Sequence, residues 1–353
     1  MKSMAALLAG FVMSVTAEGS GKAPISPASF YEDNPTYTDK VNDDASWIQS
    51  SPESVGLDSK LLKKASDAFG KKSYSFSMLV VRKNILAYER YFHGTTKSSS
   101  NNIHSASKSI VGAAIGIAIE KGLIRSLDQP IADYLPRARG DITIRHLVTH
   151  SSGMKWTEDS TEYKIEKKPN WIDAILALPY PDKPGTKWNY STGNTHLLSA
   201  ILTKATGQSL AAFARANIFS RIGIMDEHWG QDPQRISSGG YNVYLTAREM
   251  AKFGLLYLNG GVAGGKQVVP AYWVEDSFRR HISPRPGSEY GLLFWQRNIA
   301  GHEVKFAWGY GGQLIYVVPS LDMVVVFATN TRGLDPNFEA DALLKDYILS
   351  AAK

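Results

Sequence analysis

The chain has 353 residues, 43% of them hydrophobic, and contains no cysteine. This length and apolar content fit one large domain or two closely joined ones and exclude wholesale disorder. The missing cysteine excludes disulfides, thiol nucleophiles and thiolate metal sites. The net charge of +6 comes from Lys and Arg scattered among acids, with no block of like charge and no basic stripe interleaved with aromatics; that pattern argues against nucleic-acid binding.

At the N-terminus, Lys2 precedes the apolar run from Met4 to Met13, and Val15-Thr16-Ala17 follows with small residues at the two positions a signal peptidase reads. Residues 1–17 therefore read as a secretory signal peptide, and the protein as secreted or periplasmic. No other segment is long and apolar enough to span a bilayer, so stable membrane insertion is not expected. Residues 18–52, rich in Pro, Ser, Asp and Asn, read as an extended leader. Asp58 is placed to cap a helix running to Phe69. Two strand-like runs, Phe76–Arg82 and Ile85–Phe92, flank Lys83-Asn84 as a hairpin. Past residue 125, helical patches at Trp171–Leu178, Thr195–Thr206, Leu210–Ile218 and Thr246–Leu258 alternate with Gly- and Pro-rich loops. Strands return at Leu292–Arg297, Leu314–Val318 and Met323–Ala328, the last two joined by a tight turn at Pro319–Asp322, and a helix over Phe338–Ala351 closes the chain.

Strands at both ends and helices between them predict an α/β (α+β) domain over residues 53–353. The terminal strands would pair in one antiparallel sheet, giving an α/β lobe over about 53–125 and 285–353 and a helical lobe over about 126–284, with a cleft between them.

The stretch HSASKSIVGAAIGIAIEKG, residues 104–122, carries the strongest chemical signal. Ser105 and Lys108 are spaced i, i+3, which puts both side chains on one helical face. A neutral amine beside a hydroxyl can take its proton and make a nucleophile, provided burial or the helix dipole depresses the lysine pKa. The run from Ile110 to Ile119 is apolar nearly all round, as in a central helix. The alternative, an N-cap serine followed by a surface lysine, does not explain that. Two other Ser-x-x-Lys matches, Ser152/Lys155 and Ser350/Lys353, open no such helix. There is no Gly-x-Ser-x-Gly, no His-Glu-x-x-His and no phosphate-binding Gly-Lys-Ser/Thr, and the close pair His146 and His150 reads as capping or packing. A Ser–His–Asp triad is not excluded by spacing, since its members need not be neighbours.

Two further pieces follow. WNYSTGN, residues 188–194, offers Tyr190 as a proton relay on a loop. WGYGGQ, residues 308–313, offers glycines that let a substrate carbonyl approach backbone N–H groups.

In this order the three pieces resemble the β-lactamase-related serine hydrolases, the group of class C β-lactamases, D-alanyl-D-alanine carboxypeptidases, family VIII esterases and 6-aminohexanoate-dimer hydrolases. The resemblance spans roughly residues 51–353 and includes SPESVGLDS, ITIRHLVTHSSGM and LTAREMAKFGLLYLNGG. It implies a β-lactamase/transpeptidase-like fold, no cofactor and no metal. It also implies Ser105 as nucleophile, Lys108 as base and Tyr190 as proton relay. The oxyanion hole would be built by the N–H of Ser105 and that of Tyr310, with Gly311 and Gly312 as alternatives for the second donor. Trp308, Gly309, Gly311, Gly312 and Asn194 would meet the substrate. Two departures stand out. The family's Tyr-x-Asn has Thr192 in third place here, with Asn194 two residues later; and its Lys/His-x-Gly is replaced by Ala307, Trp308 or Gly309. Without that cation, a site loses attraction for β-lactam and peptidyl carboxylates. The expected function is thus hydrolysis of small esters or amides through an acyl-enzyme. A D-amino-acid peptidase or weak β-lactamase, and a non-catalytic peptidoglycan-binding protein, are the alternatives.

Overall fold

The computed structural model describes residues 47–158, 160–225, 227–331 and 340–353. The expected signal peptide and most of the leader lie outside them.

The first helix, α1 (Ser59–Gly70), starts where Asp58 accepts the N–H groups of Lys60 and Leu61. Strands β1 (Ser75–Arg82) and β2 (Ile85–Tyr91) follow as a hairpin. Its turn residues Lys83 and Asn84 have φ of 54° and 58°, the left-handed pair that matches the twist of the flanking strands. After β3 (Ser100–Asn102), a 3-10 turn at His104–Ala106 leads into α2 (Ser107–Glu120). The middle of the chain supplies α3 (Ile144–Val148), α4 (Ser160–Glu166), α5 (Trp171–Leu176), α6 (Thr192–Thr206) and α7 (Leu210–Asn217). Next come β4 (His228–Trp229), β5 (Val243–Thr246), α8 (Ala247–Leu258), the ribbon of β6 (Val262–Ala263) and β7 (Lys266–Gln267), and α9 (Ala271–Phe278). Strands β8 (Ile282–Arg285), β9 (Ser288–Tyr290), β10 (Trp295–Ile299), β11 (His302–Gly309), β12 (Gln313–Val318) and β13 (Met323–Thr329) complete the main sheet, before α10 (Ala340–Leu343) and the final helical turns.

The main sheet is antiparallel throughout, in the order β2-β1-β13-β12-β11-β10-β9-β8. The N-terminal hairpin thus joins the C-terminal strands, as the strand distribution predicts. Helices cover both faces of its centre. Phe327 meets Phe69 of α1 with ring centroids 5.1 Å apart, whereas a Cβ on Gly254 of α8 would lie 2.7 Å from Val324. Residues 324 and 327 point to opposite faces of a strand, which is why β13 is buried along its whole length and reads as one apolar run.

Several elements differ from expectation. The strand expected at Leu292–Arg297 starts only at Trp295, because Leu293 has φ of 60° and its N–H donates to the Val148 carbonyl. The expected C-terminal helix begins in residues outside the described set and ends as successive α, wider and tighter turns from Ala340 to Ala351. Helix α8 lies on the sheet, packed against β12, β13 and β1, although residue 126–284 numbering alone groups it with the helical middle.

Helix α2 lies between β11 on one side and α6, α7 and α9 on others. Every residue from Ser107 to Ala118 is buried, so no face of it needs to be polar. Its small residues permit that crowding. A Cβ on Gly116 would fall 2.3 Å from the Trp273 ring of α9. Substituting Gly116→Ala should therefore destabilise the fold by about 1–3 kcal/mol, the usual cost of overpacking, seen as a lower urea midpoint with an unchanged m-value.

Candidate active site

Ser105 and Lys108 sit at the mouth of α2. Ser105 lies in the 3-10 turn that precedes the helix, two residues before its first residue, Ser107. That turn is bent by His104, whose φ of 46° is left-handed. Its backbone is held there by a bond from the His104 N–H to Asn102 Oδ1, 2.9 Å; strain of this kind persists only where the surroundings fix it. The end of β11 closes on the same turn. A Cβ on Gly309 would lie 2.1 Å from the Ile103 carbonyl oxygen, so only glycine lets strand and turn approach so closely.

Lys108 is 1% exposed. Its Nζ lies 2.8 Å from Ser105 Oγ, 2.9 Å from Thr192 Oγ1 and 3.3 Å from the Gly240 carbonyl oxygen, and 4.9 Å from the centre of the Tyr190 ring. Burial lowers its pKa from the ordinary lysine value, with Glu158 and Glu162 opposing the shift. Tyr190, just before α6, is in polar contact with Ser105, and burial pushes its hydroxyl far above the ordinary phenol range. Burial thus favours the neutral amine and the neutral phenol. In that state Lys108 is the group able to accept the serine proton, and Tyr190 one able to donate.

Of the remaining expected residues, Trp308 stands half-buried on β11 and joins an aromatic wall. Its ring centre lies 5.6 Å from that of Trp295, which in turn lies 5.8 Å from Tyr190 and 5.6 Å from Trp188. Tyr310 is exposed at the β11–β12 turn and meets His104 edge-on at 5.8 Å. Gly311 and Gly312 have φ of 82° and 99°, and the Gly312 N–H donates to the Gly309 carbonyl at 3.2 Å to close the turn. Asn194 is placed differently from the expectation that it meets substrate. It is 1% exposed inside α6, and its Oδ1 accepts from Ser152 Oγ at 2.8 Å. The residue that reaches Lys108 is Thr192, in the third place of the tyrosine motif.

Two residues at the site, Glu158 and Gly240, escape a reading of the sequence, and a third, His150, has the packing role expected of it. Glu158 accepts Thr192 Oγ1 at 2.8 Å and the Thr192 N–H at 2.7 Å. His150 is fully buried beside Tyr190, ring centres 4.6 Å apart, and its Nδ1 accepts the Ser191 N–H at 3.3 Å. Burial and the nearby Lys108 hold His150 well below the ordinary imidazole range, so it is a neutral spacer behind the tyrosine loop. Its neighbour His146 caps α3 through Thr143, as the capping reading expects. Gly240 supplies the third lysine contact, and neither it nor Glu158 carries a local signal beyond an isolated glycine or polar residue.

A Cβ on Gly240 would lie 2.8 Å from Lys108 Nζ and 2.9 Å from Thr192 Cγ2. The Gly240→Ala variant should fold, because the lysine tip can swing away, yet lose most of its turnover. Far-UV circular dichroism and steady-state kinetics on one preparation would separate the two effects.

The model of the family described as Beta-lactamase matches residues 63–349. The 6-aminohexanoate-dimer hydrolase of Paenarthrobacter ureafaciens is 24% identical over 302 residues, covering 76% of this chain and 74% of that one. Esterase EstB of Burkholderia gladioli is 27% identical over 144 residues, 35% of this chain and 36% of the esterase. Among solved structures, a Bacillus anthracis protein provisionally named as a 6-aminohexanoate-dimer hydrolase superposes with a TM-score of 0.73 at 22% identity, covering 90% of this chain and 89% of that one. The fold is the β-lactamase/transpeptidase-like one that the resemblance implies.

Proposed function

The chain belongs to the Beta-lactamase family, and from that premise we propose that it is a serine hydrolase of small esters or amides, working through an acyl-enzyme. The observation that carries the reading is the buried Lys108 amine 2.8 Å from Ser105 Oγ. In the first half-reaction Ser105 Oγ bonds to the substrate carbonyl carbon as its proton passes to Lys108. Two backbone N–H groups, of Ser105 and of Tyr310, hold the oxyanion; each such donor is typically worth about 3–4 kcal/mol. The intermediate collapses, the bond to the leaving group breaks, and that group takes a proton from Tyr190 or Lys108. Water then repeats the sequence on the acyl-enzyme and releases the acid.

The substrate class follows from the walls. Trp188, Tyr190, Trp295 and Trp308 present aromatic surface, and the position where relatives carry a cation holds Ala307, Trp308 or Gly309. Such a site favours an uncharged, apolar acyl group over a carboxylate-bearing β-lactam. The name of the esterase relative fits an ester bond as the one cleaved, and that of the dimer hydrolase an amide bond. From the apolar run Met4–Met13 and the small residues Val15 and Ala17 we also propose export and cleavage after Ala17; protein recovered from the periplasm should then begin at Glu18.

Ser105→Ala should abolish both hydrolysis of p-nitrophenyl butyrate and labelling by a fluorophosphonate, and survival of both activities would overturn the assignment. Because the competent lysine is neutral, kcat/KM should rise with pH through an acid limb lying below the ordinary lysine value of 10.5 and then level off. Nitrocefin turned over faster than the butyrate ester would shift the assignment to a β-lactamase.

A further inference from the structure

The hydrogen bonds around Lys108 have only one consistent set of directions. Glu158 Oε1 accepts two N–H groups, from Trp156 Nε1 at 2.5 Å and from the Thr192 backbone at 2.7 Å. Its Oε2 accepts the Thr192 hydroxyl at 2.8 Å. A carboxylate only accepts and a hydroxyl has one proton to give. The Thr192 proton is therefore spent on Glu158, and Thr192 Oγ1 meets Lys108 as an acceptor at 2.9 Å. The Gly240 carbonyl, 3.3 Å away, also can only accept. Of the three partners of Nζ, Ser105 alone has a proton to return.

From this geometry we infer that Glu158, acting through the Thr192 hydroxyl, is a positioning residue that turns the lone pair of Lys108 toward Ser105. When Lys108 loses a proton, its two remaining hydrogens stay on Thr192 and Gly240, and the third tetrahedral position faces the Ser105 O–H. Without Glu158 to claim it, the Thr192 hydroxyl could rotate and offer its proton to the same lone pair. The amine would then be engaged by a hydroxyl that is not the nucleophile. The Gly240 side of the arrangement is fixed as well. The preceding Gly239 N–H donates to His196 Nδ1 at 3.3 Å, and the other ring nitrogen of His196 lies 3.0 Å from Asp232 Oδ2, both side chains buried.

The inference rests on the hydrolase reading above, and the tests are chosen to separate the two. In Glu158→Gln, the amide oxygen takes the place that accepts two N–H groups, and the amide NH2 then faces Thr192 Oγ1. That reverses the hydroxyl without changing side-chain size. Thr192→Val removes the hydroxyl, and Thr192→Ser keeps it. With p-nitrophenyl butyrate, the Gln and Val variants should lose about 10-fold or more in kcat with KM little changed, within the range that general-base catalysis spans. The Ser variant should recover most of that loss.

The titration of Lys108 gives a second readout that needs no substrate. The charged and titratable groups facing it are Glu158 and Glu162, Tyr190, and the buried imidazoles of His104 and His150. Of these, the Glu158 carboxylate favours the ammonium. In protein labelled with 13C at lysine Cε, the Lys108 resonance, assigned by its absence in Lys108→Met, should titrate at lower pH in Glu158→Gln and in Thr192→Val than in the unsubstituted protein. The acid limb of kcat/KM should move the same way. Unchanged kcat in both variants, or a Lys108 titration that stays put or moves up, would overturn the inference. Should Thr192→Val fail to fold, the Gln and Ser variants still decide it. Hydrolysis that persists in Ser105→Ala would sink the hydrolase reading alone, because the titration still reports whether Glu158 and Thr192 act on Lys108.

Discussion

Everything at the site depends on keeping one amine out of water without leaving it unsatisfied. A buried ammonium with no partners would cost several kcal/mol, and a buried amine with too many strong acceptors would stay charged and be useless as a base. The protein meets both demands at the mouth of α2. The apolar helix and its neighbours supply the burial that lowers the Lys108 pKa, while a hydroxyl and a carbonyl accept the two hydrogens that a neutral amine carries. Of the two carboxylates that act on the lysine, Glu158 reaches it through Thr192 instead of by a direct ion pair. Direct contact would pull the amine toward its charged form.

The sheet and helices serve this arrangement by bringing three distant stretches to one point. The strand β11 approaches the serine turn so closely that Gly309 has no room for a side chain. Helix α6 presents Thr192 at its first residue, where Ser191 caps it. The Gly239-Gly240 loop comes in from the side, tied to the buried His196 and Asp232. The aromatic wall from Trp188 to Trp308 packs beside Tyr190 and backs the centre with apolar surface.

How much of this is legible in the sequence depends on the distance over which each cause acts. Ser105 and Lys108 announce themselves because their spacing and the apolar helix after them are local. The hairpin at Lys83-Asn84 and the cap at Asp58 are visible for the same reason. Strand β11 is not, because its burial is not alternating. Lys305 lies within it, buried against Gln296 and the Phe278 carbonyl, and looks like a surface charge in the sequence. Thr192 reads as a departure from the Tyr-x-Asn pattern, when in the fold it occupies the lysine contact and Asn194 turns away to Ser152. Glu158 is silent in sequence, since its partner lies on a helix that begins 34 positions later.

The pairing of β1 with β13 has a consequence for how the protein comes to exist. Ser75 and Arg82 find their partners at Thr329 and Met323, so the centre of the sheet is missing a strand until nearly the whole chain has been made. Contacts of such sequence separation slow folding and delay cooperativity. Until β11 arrives, α2 also lacks the strand it packs against. The serine turn is therefore closed only when Gly309 settles against the Ile103 carbonyl, an event that waits for the last sixth of the chain.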